Sequence, residues 1–127
     1  MSSAADIERE LVASREEATR FDPWKLRLLR AKARVDLRGL ATAANLGRSG
    51  HTNLSRYESG VSVPPLTVVE EIAAALTELG SGDVQPEDLA SAPAELAENA
   101  GKHARWRAAG GRDVTTWLAK AANRSGK

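Results

Sequence analysis

Between Arg48 and Ser59 most side chains can donate or accept a hydrogen bond. If Leu54, Tyr57 and Glu58 face a core, helical spacing points Thr52, Ser55, Arg56 and Ser59 the other way, with His51 and Asn53 on the flanks. That set suits the edges of stacked base pairs: Arg donates two bonds to guanine, Asn bridges adenine, and Ser or Thr bonds a base or a phosphate. Small polar residues also sit on any solvated helix face, so the pattern draws its meaning from its surroundings. Other chemistries lack their parts. His51 and His103 are the only histidines, cysteine is absent, and the nearby carboxylates lack metal-ligand spacing. No glycine-rich loop follows a strand and no Ser-His-Asp arrangement occurs, so neither catalysis nor a metal or cofactor is expected.

The elements that must carry these residues are helices. With 127 residues, five aromatics and abundant Ala and Leu, an aliphatic core on Ala-rich helices is expected, and the fold class is all-α. Asp22-Pro23 starts a helix running to about Val35, with Trp24, Leu28, Ala31 and Val35 on one stripe and Leu26, Leu29 and Ala33 on another. One stripe serves the core; the other is expected to receive an amphipathic N-terminal helix from Ala4 to Arg20. Asp36 caps a helix from Leu37 to about Ala44, Asn45 suits a left-handed stop, and His51 to Glu58 resumes helical spacing. Thr67 to Glu70 matches a capping box before Val69, Ile72, Ala73, Leu76 and Leu79. Pro86 opens a short helix, and two Ala-rich helices follow, one from about Ala94 to Ala108 and one from Asp113 to Asn123. No apolar run reaches membrane-spanning length, and Met1 to Arg20 is too acidic and polar for a signal peptide. A cytoplasmic protein without membrane contact is expected.

Charge is segregated along the chain. Residues 23–63 hold eight basic and two acidic groups, residues 64–100 hold eight acidic and no basic groups, and residues 101–127 hold seven basic and one acidic. A polyanion-binding surface is one explanation, and mutual neutralisation of opposite segments is the other. Trp106 among Lys102, His103, Arg105 and Arg107 reads as an anchoring aromatic on a solvated basic helix, with stacking on a base as the alternative.

The segment from Trp24 to Leu79 resembles the Cro and lambda-repressor-like helix-turn-helix family, the xenobiotic-response-element type. Leu40-Ala41, the run Leu54-Ser55-Arg56-Tyr57-Glu58-Ser59-Gly60, the following Pro64 or Pro65, and the helix through Ile72 and Leu76 carry the likeness. It implies a five-helix DNA-binding core over 22–92, preceded by a helix in 1–21 and followed by a basic helical extension in 93–127. It implies that Arg30 pairs with Glu58, and that His51 and Thr52 open the base-reading set, with Asn53, Ser55 and Arg56 beside them. Arg34, Arg38, Arg48 and Ser49 are expected at phosphates, and Arg30 also if it is not paired. Two departures stand out: the turn Gly47 to Gly50 is longer than is usual, so that the recognition helix could begin at Ser49, and Leu37 replaces a frequent polar backbone contact.

The expected partner is double-stranded DNA, read by a homodimer that represses a bacterial or phage promoter in the nucleoid. The alternative is an antitoxin-like or coactivator-like module that holds a protein partner through its C-terminal extension.

Overall fold

In the computed structural model the structure describes residues 19–114, 116 and 117. Helix α1 spans Pro23–Ala33, α2 Leu37–Ala43, α3 Gly50–Glu58, α4 Leu66–Leu79 and α5 Pro93–Ala108, with a 3-10 turn at Pro86–Leu89. A two-residue antiparallel ladder joins β1, Arg20–Phe21, to β2, Ala90–Ser91. The fold is all-α apart from this clasp. The expected N-terminal helix lies outside the described residues up to Ala18, and its expected last residue, Arg20, is extended and pairs with Ser91. Helix Asp113 to Asn123 is described only at its start, where the Trp117 N–H donates to Asp113 O at 3.1 Å.

Helix α1 starts where Asp22 accepts the Trp24 N–H at 3.0 Å, with Pro23 as its first residue. It ends two residues earlier than spacing suggests. Arg34 takes a left-handed conformation (φ 55°), and the N–H groups of Arg34 and Val35 return to the carbonyls of Ala31 and Arg30. Helix α2 is capped by Asp36, which accepts the Gly39 N–H at 2.7 Å. The capping box expected at Thr67 to Glu70 is absent: α4 begins two residues earlier than that box would set, after extended Pro65 and without a side-chain cap. The consecutive prolines enforce the extended entry, and the Pro65 carbonyl accepts the first helical bonds from Val68 and Val69.

The two stripes of α1 separate two cores. Leu26 joins Leu40, Leu54, Ile72, Leu76 and Leu89, all fully buried, with Leu29 and Tyr57 packed against them. Trp24 instead joins Trp106 and Val114, flanked by Leu28, Ala31 and Trp117. The Trp24 stripe is therefore packed against α5 and the residues after it, while the N-terminal helix expected there lies outside the described residues. Trp106 is an internal anchor: it is buried, its ring meets that of Trp24 edge-on at 6.1 Å, and its indole N–H donates to Arg112 O at 2.5 Å. Indoles need both burial and a partner for the N–H, and this site supplies both.

His103 belongs to the same cluster, its ring 5.6 Å from that of Trp24 and its buried Nε2 without a hydrogen-bond partner among the described residues. Burial, then Arg107 and Arg27, hold its imidazole below the ordinary value, while Glu58 and Asp22 pull weakly the other way. On acidification the unfolded chain takes up this proton before the folded one. Stability is thus complete above the unfolded imidazole value and declines as the pH falls below about 6.5. Urea unfolding followed from about pH 7 to pH 5 should show this decline. In His103→Gln the slope over that window should flatten; an unchanged slope would exclude His103 as its source.

Candidate nucleic-acid interface

Helices α2 and α3 are joined by six residues, Ala44 to Ser49. Asn45 adopts a left-handed conformation (φ 56°), its N–H donating to Thr42 O and that of Leu46 to Ala41 O at 3.0 Å. This closes α2 and turns Leu46 onto the core. Gly47 (φ 78°) reverses the chain again, and its carbonyl accepts the Gly50 N–H at 3.1 Å. Glycine suits that dihedral, which costs other L-residues energy. Helix α3 therefore begins at Gly50, one residue before its expected start, with Ser49 as N-cap residue.

Gly50 is buried where α3 touches α2. A Cβ there would stand 2.8 Å from Leu46 Cβ and 3.0 Å from Ala41 Cβ. Glycine at this point lets the two helices of the motif approach, a role that spacing did not disclose. Gly50→Ala should lose about 1–3 kcal/mol in chemical denaturation as α3 is pushed outward. A variant as stable as the parent would show that the contact relaxes freely.

The other end of α3 is held by charge. Glu58 is 2% exposed; Arg30 Nε donates to its Oε2 at 2.5 Å and Arg30 Nη2 to its Oε1 at 3.0 Å. Arg30 Nη1 donates to Val35 O at 3.0 Å, so one guanidinium ties α1, the turn before α2 and the end of α3. Arg27 adds a second cation, 3.4 Å from Glu58 Oε1, with its guanidinium stacked 4.2 Å above the Trp106 ring. Burial lowers the pKa of Arg27, helped by Arg30 and Arg107 and opposed by Glu58, although a guanidinium keeps its proton in any protein setting. Arg27 went unassigned from sequence, though it lies one turn before Arg30 on the same helix face.

Between these anchors Leu54 is fully buried, and the opposite side of α3 faces outward. Thr52, Ser55 and Arg56 are exposed, while His51 and Asn53 are half-buried on the flanks, with Thr52 Oγ1 3.4 Å from His51 Nε2. Ser59 departs from the outward set, because its hydroxyl donates back to Ser55 O at 2.9 Å. Of the residues expected at phosphates, Arg34, Arg38, Arg48 and Ser49 are all exposed, and the Ser49 hydroxyl makes no capping bond. Arg30 is engaged with Glu58 instead.

Two short helices, closed by a left-handed turn and clamped at both ends of the second one, with its polar side left open, define a helix-turn-helix domain. The family model described as helix-turn-helix domain matches residues 24–87, about half of the chain, and the chain belongs to that family. Membership points to DNA binding. No curated protein and no solved structure matches the chain. No helix among the described residues is long and apolar enough to cross a membrane.

Proposed function

We propose that the chain is a sequence-specific double-stranded DNA-binding transcriptional regulator of the Cro and lambda-repressor-like type, acting as a cytoplasmic, nucleoid-associated repressor of a bacterial or phage promoter. The observation that carries the reading is the exposed row Thr52, Ser55 and Arg56 on a helix whose inward face is pinned by Leu54 and Glu58. Arg56, Thr52, His51, Asn53 and Ser55 enter the major groove, while Arg34, Arg38, Arg48 and Ser49 hold phosphates. One motif offers few base contacts. A homodimer would place two recognition helices about 34 Å apart over an inverted repeat.

Selection from random DNA at physiological salt, followed by sequencing, tests this. Enrichment of a short inverted repeat is expected. Arg56→Ala should then cost about 1–3 kcal/mol and relax one position of the site, whereas Arg38→Ala should weaken all sequences and lower the salt slope by about one. Retention of DNA with no sequence enriched would overturn the reading in favour of a protein-interaction module.

That second reading, antitoxin-like or coactivator-like, has one observation behind it. Val61, Val63 and Leu66 are 74%, 76% and 68% exposed just after the motif. It does not draw on the C-terminal tryptophans, since Trp106 is buried and Trp117 packs on the second core.

A further inference from the structure

Helix α1 and the residues following α5 enclose a cleft of about 810 Å³. Its lining includes Arg27, Arg30, Arg34 and Arg112, together with Trp106, and Asp113 is the one carboxylate among its described lining residues. Lys32 lends only its stem, because its ammonium lies 3.7 Å from the position a Cβ would take at Gly82. The volume falls within the range of small-molecule sites, and the lining is unusual in converging guanidinium groups on one hollow. Arg34 and Arg112 are exposed and have no carboxylate partner among the described residues. The Nε of Arg27 is buried and meets no acceptor among the described residues. An N–H that gives up water without gaining a bond is costly. Arg27 and Arg30 share one carboxylate, so two guanidinium groups are balanced by a single charge at Glu58.

We propose that this cleft binds a small oligophosphate anion. Planar guanidinium groups pair with phosphate oxygens through two parallel bonds, and several of them together demand more than one negative charge. The same groups hold Glu58, so an anion that recruits Arg27 and Arg30 competes with the last residue of α3 for its donors. Occupancy therefore loosens the C-terminal anchor of the recognition helix. This coupling clause rests on the DNA-binding reading; the site itself does not. The concave shape fits a compact ligand better than a duplex backbone, although Arg34 is shared between this cleft and the phosphate contacts proposed above.

Tripolyphosphate is the probe. Trp24, Trp106 and Trp117 all belong to the adjoining cluster, so their emission reports occupancy, with calorimetry giving stoichiometry. One saturable site is expected on the full chain, weakened about tenfold or more in Arg112→Ala. It should be unaffected in Arg105→Ala, an exposed cation of α5 outside the cleft. Equal near-ultraviolet dichroism of the variants shows that both remain folded. Absence of saturable binding, or equal losses in the two variants, overturns the site. So does an Arg112→Ala variant that lowers the salt slope of DNA binding while tripolyphosphate fails to bind, because the cleft then belongs to the duplex track. With a DNA site in hand, tripolyphosphate at constant ionic strength should weaken DNA retention about tenfold in the parent and not in Arg112→Ala. No difference between them removes the coupling. Anion binding without any DNA retention would keep the site and overturn the DNA-binding reading instead.

Discussion

Arg30→Ala should destabilise the fold by about 3–5 kcal/mol, because it strips the bidentate partner from a carboxylate that is 2% exposed. Arg27 remains 3.4 Å away and compensates in part, which argues for the lower end of that range. An exposed ion pair would contribute only about 0–1 kcal/mol, so denaturant titration separates the two cases clearly. Arg30→Lys should recover little. A lysine cannot donate from two fixed directions to Glu58 and also reach the Val35 carbonyl. Glu58→Gln should also be costly, since it leaves Arg27 and Arg30, with side chains only 16% and 19% exposed, without the carboxylate they share. The double variant Arg30→Ala with Glu58→Gln should be more stable than the sum of the two losses implies. If Arg30→Ala unfolds at the parent's denaturant concentration, the pair is ornamental and the recognition helix is held by packing alone.

Asp22→Ala should cost about 3 kcal/mol or more and should release α5 from the motif. Asp22 is 1% exposed; one oxygen accepts the Trp24 N–H, and the other lies 2.7 Å from both Ser91 Oγ and Asn99 Nδ2. Ser91 Oγ is also 2.8 Å from Glu95 Oε1, so a single hydroxyl proton serves two carboxylates. Deleting the carboxylate removes a helix cap, worth about 1 kcal/mol, and strands buried donors at about 1–3 kcal/mol each. Asp22→Asn tests the division of labour. An amide still caps α1 through its carbonyl but presents an N–H₂ group where Asn99 also donates, so part of the loss should remain. Near-ultraviolet dichroism of the Trp24 and Trp106 cluster reports whether α5 detaches. Loss of stability with that signal intact would mean that Asp22 acts only as a cap.

The pairing of Arg30 with Glu58 was implied only by the family resemblance, whereas residue spacing alone was enough for the all-α class, for α1 to α4 within a residue or two and for the left-handed stop at Asn45. These follow from local rules: caps, helical period and the dihedral preferences of Gly, Pro and Asn act within a few residues. It was not enough for α4's entry, where Thr67 to Glu70 looks like a capping box but Pro65 sets the first turn through its carbonyl. Nor did spacing say what covers the Trp24 side of α1. Two amphipathic segments, one on each side of the motif, offered suitable apolar faces, and only packing shows Trp106 and Val114 in that place. Asp22 was legible as a cap and illegible as the acceptor for Asn99, 77 residues away, because hydrogen bonds between distant segments leave no local pattern. Gly50 gives the sharpest contrast. Its sequence context reads as a flexible loop, whereas the fold uses its missing Cβ to let α3 rest on Ala41. Local rules of cap and period fix which residues form helices and which polar side chains share a face. Which faces are covered, which charges meet and where guanidinium groups converge depend on close packing between elements distant in the chain, and residue order alone leaves those open.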